Sequence, residues 1–349
     1  MASATVDRYG RVTDIIRDEC DVDVHEIFTL TEGSGPLPMA FTTAACLTQL
    51  TTSFALLRPD VVVTIADRHE TIATAIAASY SGIPLAHVQG GEVTGSIDER
   101  VRHSVTKLAD LHVVATERAR SNVLRLGEDP EFVHVTGCPS IDLAAAAKSR
   151  GALDFDPFER FGGVGAPMNL ENGYLVVLHH PVTTEYANSR RDVEEVFAAV
   201  RDSRLPVLWF WPNVDAGGDA TSKALRALRE RGLATDVHFF KNLPPLEFLV
   251  LVNNARALVG NSSVGIRECS FLGVPVVNIG TRQEGRERAP NVVQAEPTRI
   301  SVSEALTTAL SGPRPAGETL YGDGAAGSRI ARLLAETRFT STKSLHTSR

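Results

Sequence analysis

From Asp60 onward the chain alternates short apolar runs with helix-patterned stretches, and this alternation constrains its fold more than any other feature. DVVVTIA is followed by HETIATAIAASYSG, PLAHV by DERVRHSVTKLAD, LHVVA by ERARSNVLRLG, and FVHVTG by SIDLAAAAKSR. Apolar runs this short, joined by helical crossovers, predict parallel strands covered on both faces. The pattern lapses over residues 151–172, rich in Gly, Pro and Phe, and a domain linker is expected there. It resumes with YLVVLHH, a helix near 190–203, PVLWFW, a helix near 219–231, VHFF, a helix near 245–253, ALVG and VPVVNI. The expected class is α/β, with two Rossmann-like doubly wound domains at 1–160 and 161–320. Residues 321–349 add one helix near 325–336 and a tail, TSTKSLHTSR, that reads as disordered.

The opening residues break the pattern. A doubly wound domain starts with an apolar strand feeding a tight turn, yet residues 1–30 offer a polar start, a short helix around 12–17 and then VDVHEIFTL. The first strand of the N-terminal domain is therefore expected to be missing. Two cores are affordable at 349 residues and 43% hydrophobic content. The net charge of −7 argues against a nucleic-acid or membrane-surface partner. No run is read as approaching the roughly 20 apolar residues of a membrane span, and no signal-peptide core precedes the first domain, so a cytoplasmic location is expected. Cys20, Cys46, Cys138 and Cys269 lack CxxC or Cys/His spacing, so neither a disulfide framework nor a metal site is expected and all four read as buried thiols.

The segment around 257–293 carries the plainest chemistry. Ala257-Leu258-Val259 reads as a buried strand, Gly260-Asn261-Ser262-Ser263 as its turn, and 264–272 as one helix ending at Gly273. Free backbone N–H groups and the positive end of the dipole suit a phosphate there, although Asn261 or Ser262 serves equally well as a simple cap. After the next strand, Thr281-Arg282-Gln283-Glu284-Gly285-Arg286-Glu287-Arg288 brings three arginines to the same edge, which favours a diphosphate over a solvated charge run.

Three clusters fall at strand ends in the N-terminal half: Asp67-Arg68-His69-Glu70, His87-Val88-Gln89-Gly90-Gly91-Glu92, and Asp98-Glu99 with Arg102-His103. Asp67, Glu92 and Asp98 are candidate acid/base groups, and Arg68 is a candidate phosphate or carboxylate partner. His87 and His103 are candidate proton shuttles. Helix-dipole stabilisation is the competing reading for Asp98 and Glu99, and a salt-bridged helix position the one for His103. Gly90-Gly91 is read as a place where backbone approaches a ligand closely. Beyond the expected linker, His179 and His180 end a strand; alternation lets at most one face the cleft, and His180 is favoured because Pro181 follows it. Trp209 and Trp211 read as packing residues.

At ADRHE, HVQGGEVTGSIDERVRHSVTKLADLH, GCPSID, HHPVTTE and GNSSVGIRE followed by GTRQEGRE, the chain resembles the UDP-N-acetylglucosamine 2-epimerases, most closely the branch with the hydrolysing, sialic-acid-pathway enzymes. The resemblance covers roughly residues 7–293. It implies a GT-B arrangement with the active site between the domains and the uracil nucleotide against the second. Carried over, Ser262 and Ser263 would bind diphosphate, Glu268 the ribose hydroxyls, and His180 the diphosphate region. Arg282 and Arg68 would hold phosphates or the sugar, with His87 and Arg102 in the ligand-binding set.

The implied reaction removes the C2 proton and expels UDP from C1, giving a 2-acetamidoglucal, then adds back across the double bond from the other face. UDP-N-acetylmannosamine forms if UDP returns, and free N-acetylmannosamine if water adds. Asp67 and Asp98 match two of the family's acidic residues. Gln89 stands where the family often has Glu and cannot act as a base, with Glu92 three residues on as the candidate substitute; His180 completes the catalytic set. A Gly-Thr-Arg motif that follows the family's first strand has no match. No cofactor is implied; the partners are UDP-N-acetylglucosamine, UDP and further copies of the chain as a homodimer or homotetramer. A GT-B glycosyltransferase and a catalytically silent nucleotide-sugar sensor are the alternatives.

Overall fold

The computed structural model describes residues 2–6, 12–33, 36–65, 68–94, 98–182, 188–212, 218–339 and 343–346. The chain forms two compact units, Met1–Asp142 with Tyr321–Arg349, and Leu143–Leu320. The first contains α1 (Val12–Glu19), α2 (Pro36–Leu57), β1 (Val62–Ile65), α3 (Thr71–Tyr80), β2 (Leu85–Val88), α4 (Asp98–Leu108), β3 (Leu111–Val114), α5 (Glu117–Arg125), β4 (Val133–Val135) and the start of α6 (Pro139–Arg150). The second holds α7 (Pro157–Phe161), β5 (Leu175–Leu178), α8 (Ser189–Asp202), β6 (Val207–Phe210), α9 (Gly218–Glu230), β7 (Val237–Phe240) and α10 (Pro245–Asn253). It continues with β8 (Ala257–Gly260), α11 (Ser263–Ile266), α12 (Glu268–Leu272), β9 (Val276–Ile279), β10 (Val292–Ala295) and α13 (Arg299–Leu310), after which α14 (Ala326–Glu336) returns to the first unit. Both are α/β units with parallel sheets, the two Rossmann-like domains expected.

In the first unit the strands run in the order β1-β2-β3-β4. A monotonic order with right-handed crossovers places the intervening helices on one face. There Val62 and Leu85 pack against Ala75, Ala78, Val101 and Val105. The opposite face, Ala86, Val88, Leu111 and Val113, is closed by Ile330, Leu333 and Leu334 of α14 together with Phe339. That packing explains why residues from Tyr321 on belong to the first unit instead of standing apart as a third segment. Among the described residues no strand precedes Val62, and Val63 and Ile65, pointing to the α14 side beyond its reach, are 40% and 56% exposed.

The boundary expected at 160/161 lies instead at 142/143, inside α6, because Ala144 and Ala147 already pack into the second core with Tyr174 and Val176. The expected linker at 151–172 is likewise part of that unit: Leu153, Phe155, Phe158, Phe161, Met168 and Leu170 lie against the same core. Two of its aromatic residues, Phe158 and Phe161, lie three apart on the five-residue α7. Two further expectations are corrected. By length and composition Leu37–Leu57 qualifies as a membrane-crossing helix among the described residues. Its 22 residues include no charge, and Thr48, Thr51, Thr52 and Ser53 turn their hydroxyls back onto carbonyls four residues earlier. Its inner side is tied down: Thr42 Oγ1 accepts from Thr31 N, Thr43 Oγ1 donates to His69 O, and Cys46 Sγ lies 3.0 Å from Thr29 Oγ1. These ties make α2 a surface helix of the first unit. Cys20, finally, is exposed while the other three thiols are buried.

The second sheet runs β10-β9-β8-β5-β6-β7. From β5 the chain proceeds to β6 and β7 on one side, then starts again with β8 on the other side of β5. The crevice outside the carboxyl ends of β5 and β8 is therefore a topological switch point, where open α/β sheets bind ligands.

Candidate active site

Two strand ends meet at that switch point. Asn261 leaves β8 and clasps the residue leaving β5: its Oδ1 accepts from His180 N at 2.8 Å, and its Nδ2 donates to His180 O at 2.8 Å. Its own carbonyl accepts from Arg282 Nη1 at 3.1 Å and Gln283 Nε2 at 2.8 Å, so the arginine-rich loop is fastened to the same residue. Gly260 makes the approach possible. Its φ is +142°, and a Cβ there would lie 2.0 Å from Leu178 O. The sequence reading treats Asn261 only as a cap; a carboxamide between a glycine and two serines at a strand end was the available signal for a clasp.

Ser262 caps α11, its hydroxyl accepting from Val264 N, and Ser263 Oγ accepts from Arg267 Nη2 at 2.9 Å. The helix expected over 264–272 is broken at Arg267 (φ −96°, ψ −69°) into α11 and α12. Gly273 ends it in the left-handed region as anticipated, at φ +71°. Glu268 is 5% exposed with its Oε2 4.0 Å from Arg267 Nε. No donor hydrogen-bonds that oxygen among the described residues, so a buried acceptor stands ready for hydroxyl groups. Arg282 is bonded to the strand end, whereas Arg288 turns to Gln294 Oε1 and Gln283 O.

His179 and His180 both line the hollow at this edge, with Asn261, Gly280, Thr281 and Glu296. Strand alternation does not separate them because β5 ends at Leu178. His179 is 6% exposed, and burial, helped by the charge of Arg282, pushes its imidazole down to about 4, so it is neutral near pH 7. His180 is half-buried. Trp209 is fully buried, and Trp211 stacks on Phe239 with ring centroids 5.0 Å apart, as packing residues.

The N-terminal strand ends behave differently. Asp67 lies outside the described residues. Arg68 Nε sits 3.1 Å from Glu70 Oε1, and His69 Nδ1 3.2 Å from Glu70 Oε2. Burial works to raise Glu70, but the Arg68 guanidinium, the neighbouring His69 and hydrogen bonds outweigh it and hold the carboxyl below its usual range. Glu70, which the sequence reading passes over, thus aims both side chains. Asp98, half-buried, opens α4. Glu99 accepts from Thr94 N at 3.3 Å, and its Oε1 lies 3.3 Å from His103 Nε2 one turn along α4.

Arg102 is 1% exposed and donates to Glu92 O at 2.8 Å, fastening the loop after β2 to α4. Glu92 itself is 7% exposed. His87 is fully buried with Nδ1 3.2 Å from Thr106 Oγ1. His87 and Arg102 thus both lie inside the first unit, beneath the loop after β2. Gly91 is a glycine for packing, not ligand approach: at φ +76° its Cβ would lie 2.2 Å from Ala119 O. Gln89 holds a left-handed backbone, φ +67°, and donates to Cys138 Sγ at 2.8 Å, which in turn lies 2.9 Å from Ser140 Oγ. A non-glycine residue in that region stores strain, and such strain gathers at functional sites.

The family profile described as UDP-N-acetylglucosamine 2-epimerase matches residues 11–335. Among curated relatives, a UDP-N,N'-diacetylbacillosamine 2-epimerase (hydrolyzing) of Legionella pneumophila is 33% identical over 79% of this chain and 71% of its own length. A UDP-N-acetylglucosamine 2-epimerase of Neisseria meningitidis is 30% identical over 73% of this chain and 64% of its own. The chain thus spans about two thirds of the length of the curated relatives it matches. Among solved structures, the Methanocaldococcus jannaschii UDP-GlcNAc 2-epimerase in complex with UDP-GlcNAc and UDP superposes with a TM-score of 0.75 at 20% identity, covering 93% of this chain and 88% of that one. The Neisseria meningitidis enzyme bound to UDP-GlcNAc gives 0.73 at 17% identity, covering 96% and 90%. The motifs at both sets of strand ends, the paired parallel sheets and the profile match over most of the chain agree: this protein belongs to the UDP-N-acetylglucosamine 2-epimerase family.

Proposed function

We propose that this chain inverts C2 of a UDP-activated 2-acetamido sugar and releases the sugar free. The observation that carries the reading is the switch-point assembly, in which Asn261 joins two strand ends, Arg282 and the capped turn at Ser262 and Ser263. Backbone N–H groups, a helix start and a guanidinium at one point suit a departing diphosphate, whose charge grows as the C1–O bond breaks. Glu268 accepts the ribose hydroxyls, and His180 and Arg68 contact the phosphates or sugar. Asp67 and Asp98, with Glu92, serve the proton transfers at C2. Gln89 is a positioning residue in this scheme, since its carboxamide is spent on Cys138.

The C2–H proton passes to a carboxylate, the C2 electron pair forms the C1–C2 double bond, and UDP leaves with the C1–O electrons. Water then adds at C1 and a proton at the other face of C2, so that UDP-N-acetylglucosamine and water give N-acetylmannosamine and UDP. The hydrolytic outcome is favoured over return of UDP because two of the relatives carry "hydrolyzing" in their names. Those names also extend the substrate class to UDP-N,N'-diacetylbacillosamine. Assembly as a homodimer or homotetramer belongs to the same proposal, and light scattering of the purified chain tests it.

The deciding experiment incubates the protein with each of the two UDP sugars in deuterated water and follows the anomeric and C2 positions by NMR. Deuterium at C2 with free 2-epimerised sugar and UDP supports the reading. UDP-N-acetylmannosamine as the product replaces the hydrolytic branch, and transfer to an acceptor replaces it with a glycosyltransferase. Binding of both sugars without turnover refutes catalysis and leaves a nucleotide-sugar sensor.

A further inference from the structure

The tail expected to be disordered is docked over Lys343–His346. Lys343 Nζ donates to Thr106 O at 3.2 Å and to Ala109 O, and lies 2.6 Å from Glu128 Oε2. Thr106 is in the last turn of α4 and Ala109 follows it, where carbonyls run short of intrahelical donors, Thr106 O keeping Ala109 N at 3.3 Å, and the dipole favours a cation. Glu128 is 3% exposed and collects two more partners, Lys107 Nζ at 2.5 Å and His112 Nε2 at 3.0 Å. The tail is also seated by its backbone: His346 N donates to Gly127 O at 3.0 Å. Leu345 covers Gly127 closely enough that a Cβ there would lie 2.4 Å from its Cδ1. One ammonium, arriving from more than two hundred residues later, therefore closes the carboxyl end of α4 and ties it to a buried carboxylate on the turn after α5.

The amino end of the same helix carries Asp98, and its next turn carries Arg102, which holds the Glu92 carbonyl. A helix of 11 residues moves as a rod, so fixing one end sets the other. We propose that Lys343 is a positioning residue that clamps the carboxyl end of α4 and thereby sets Asp98 and the Glu92 loop for proton transfer at C2. The proposal rests on the catalytic reading of Asp98. Burial holds the ammonium's pKa below the usual lysine value, with the Glu128 carboxylate pulling it back up.

The test compares the whole protein with its Lys343→Met and Lys343→Arg variants by amide exchange, urea unfolding and steady-state turnover of UDP-N-acetylglucosamine. Lys343→Met is expected to speed exchange along α4 about tenfold while the second unit is unchanged. It is also expected to lower kcat by about tenfold with little change in KM, with partial rescue by Lys343→Arg. Unchanged exchange in α4 overturns the clamp. So does acceleration spread evenly over the first unit with a matching loss of global stability, which is the mark of a merely structural contact. Loosened α4 with undiminished kcat overturns the positioning role. A wild-type protein without turnover would instead refute the proposed function, and the exchange data would still judge the clamp.

Discussion

Replacing His179 by leucine should flatten the acid side of the protein's stability curve. The imidazole is buried at the carboxyl edge of the second sheet, and its Nδ1 has no hydrogen-bond partner among the described residues, so an apolar replacement forfeits little. Burial and the Arg282 charge hold its pKa at about 4, against 6.5 for the free side chain. An imidazole held low makes the unfolded chain take up its proton before the folded one as pH falls. Its contribution is therefore complete above about pH 6.5 and is lost as the pH falls toward 4. At 1.36 kcal/mol per unit, the wild type should lose about 2 kcal/mol between pH 8 and pH 5 from this group, rising to about 3 at pH 4. Urea unfolding followed by far-UV circular dichroism at those three pH values, for the wild type and His179→Leu, measures the difference directly. The variant should show a correspondingly shallower fall. Parallel curves for the two proteins would show that His179 is not held neutral and refute the reasoning.

Gly260→Ala should cost about 3 kcal/mol or more and abolish UDP binding together, because its Cβ would strike the Leu178 carbonyl that flanks the clasp; calorimetry with UDP and urea melts check both. Asn261→Ala should cost about 2 kcal/mol by leaving both backbone groups of His180 unpaired, and should weaken UDP binding more than Asn261→Asp, which keeps one acceptor. Glu128, at about 2, is a carboxylate whose contribution is present above its ordinary value of 4.5 and is lost as pH falls toward 2, burial being outweighed by hydrogen bonds from His112, Lys107 and Lys343. Glu128→Gln should therefore lose about 3 kcal/mol at pH 7, with the difference from wild type shrinking below pH 4.5 in acid titrations of stability.

The alternation of apolar runs with helical stretches was enough to place nine of the ten strands because most are buried on both faces and read as unbroken apolar runs; β10, only partly buried, carries no such signal. What it does not show is which core a segment joins. Residues 151–172 look like a linker since glycines and prolines interrupt them and α7 is only five residues long, yet Phe155, Phe158 and Phe161 pack on the second core. The docked tail is invisible for a related reason: Lys343 and Leu345 act singly, through one ammonium and one methyl pair, and leave no pattern. In the site, residue types at strand ends marked the edge where Asn261, Ser262 and Arg282 lie together. They did not separate groups at the surface from His87 and Arg102 beneath it, because burial is decided by Thr106 and by the Glu92 loop, contacts that spacing does not record.

The chain passes between its units at two places that are fastened together. Cys138 N donates to Tyr321 O at 2.7 Å, and Asp142 accepts from Ala326 N and Gly327 N at 2.9 and 2.7 Å, capping α14. The first unit is consequently assembled from the two ends of the chain, while the second is continuous. During synthesis the second unit leaves the ribosome whole, whereas Ala86, Val88, Leu111 and Val113 wait uncovered until α14 is made. The later-encoded unit can thus finish folding before the earlier-encoded one, whose sheet stays uncovered until α14 has been made.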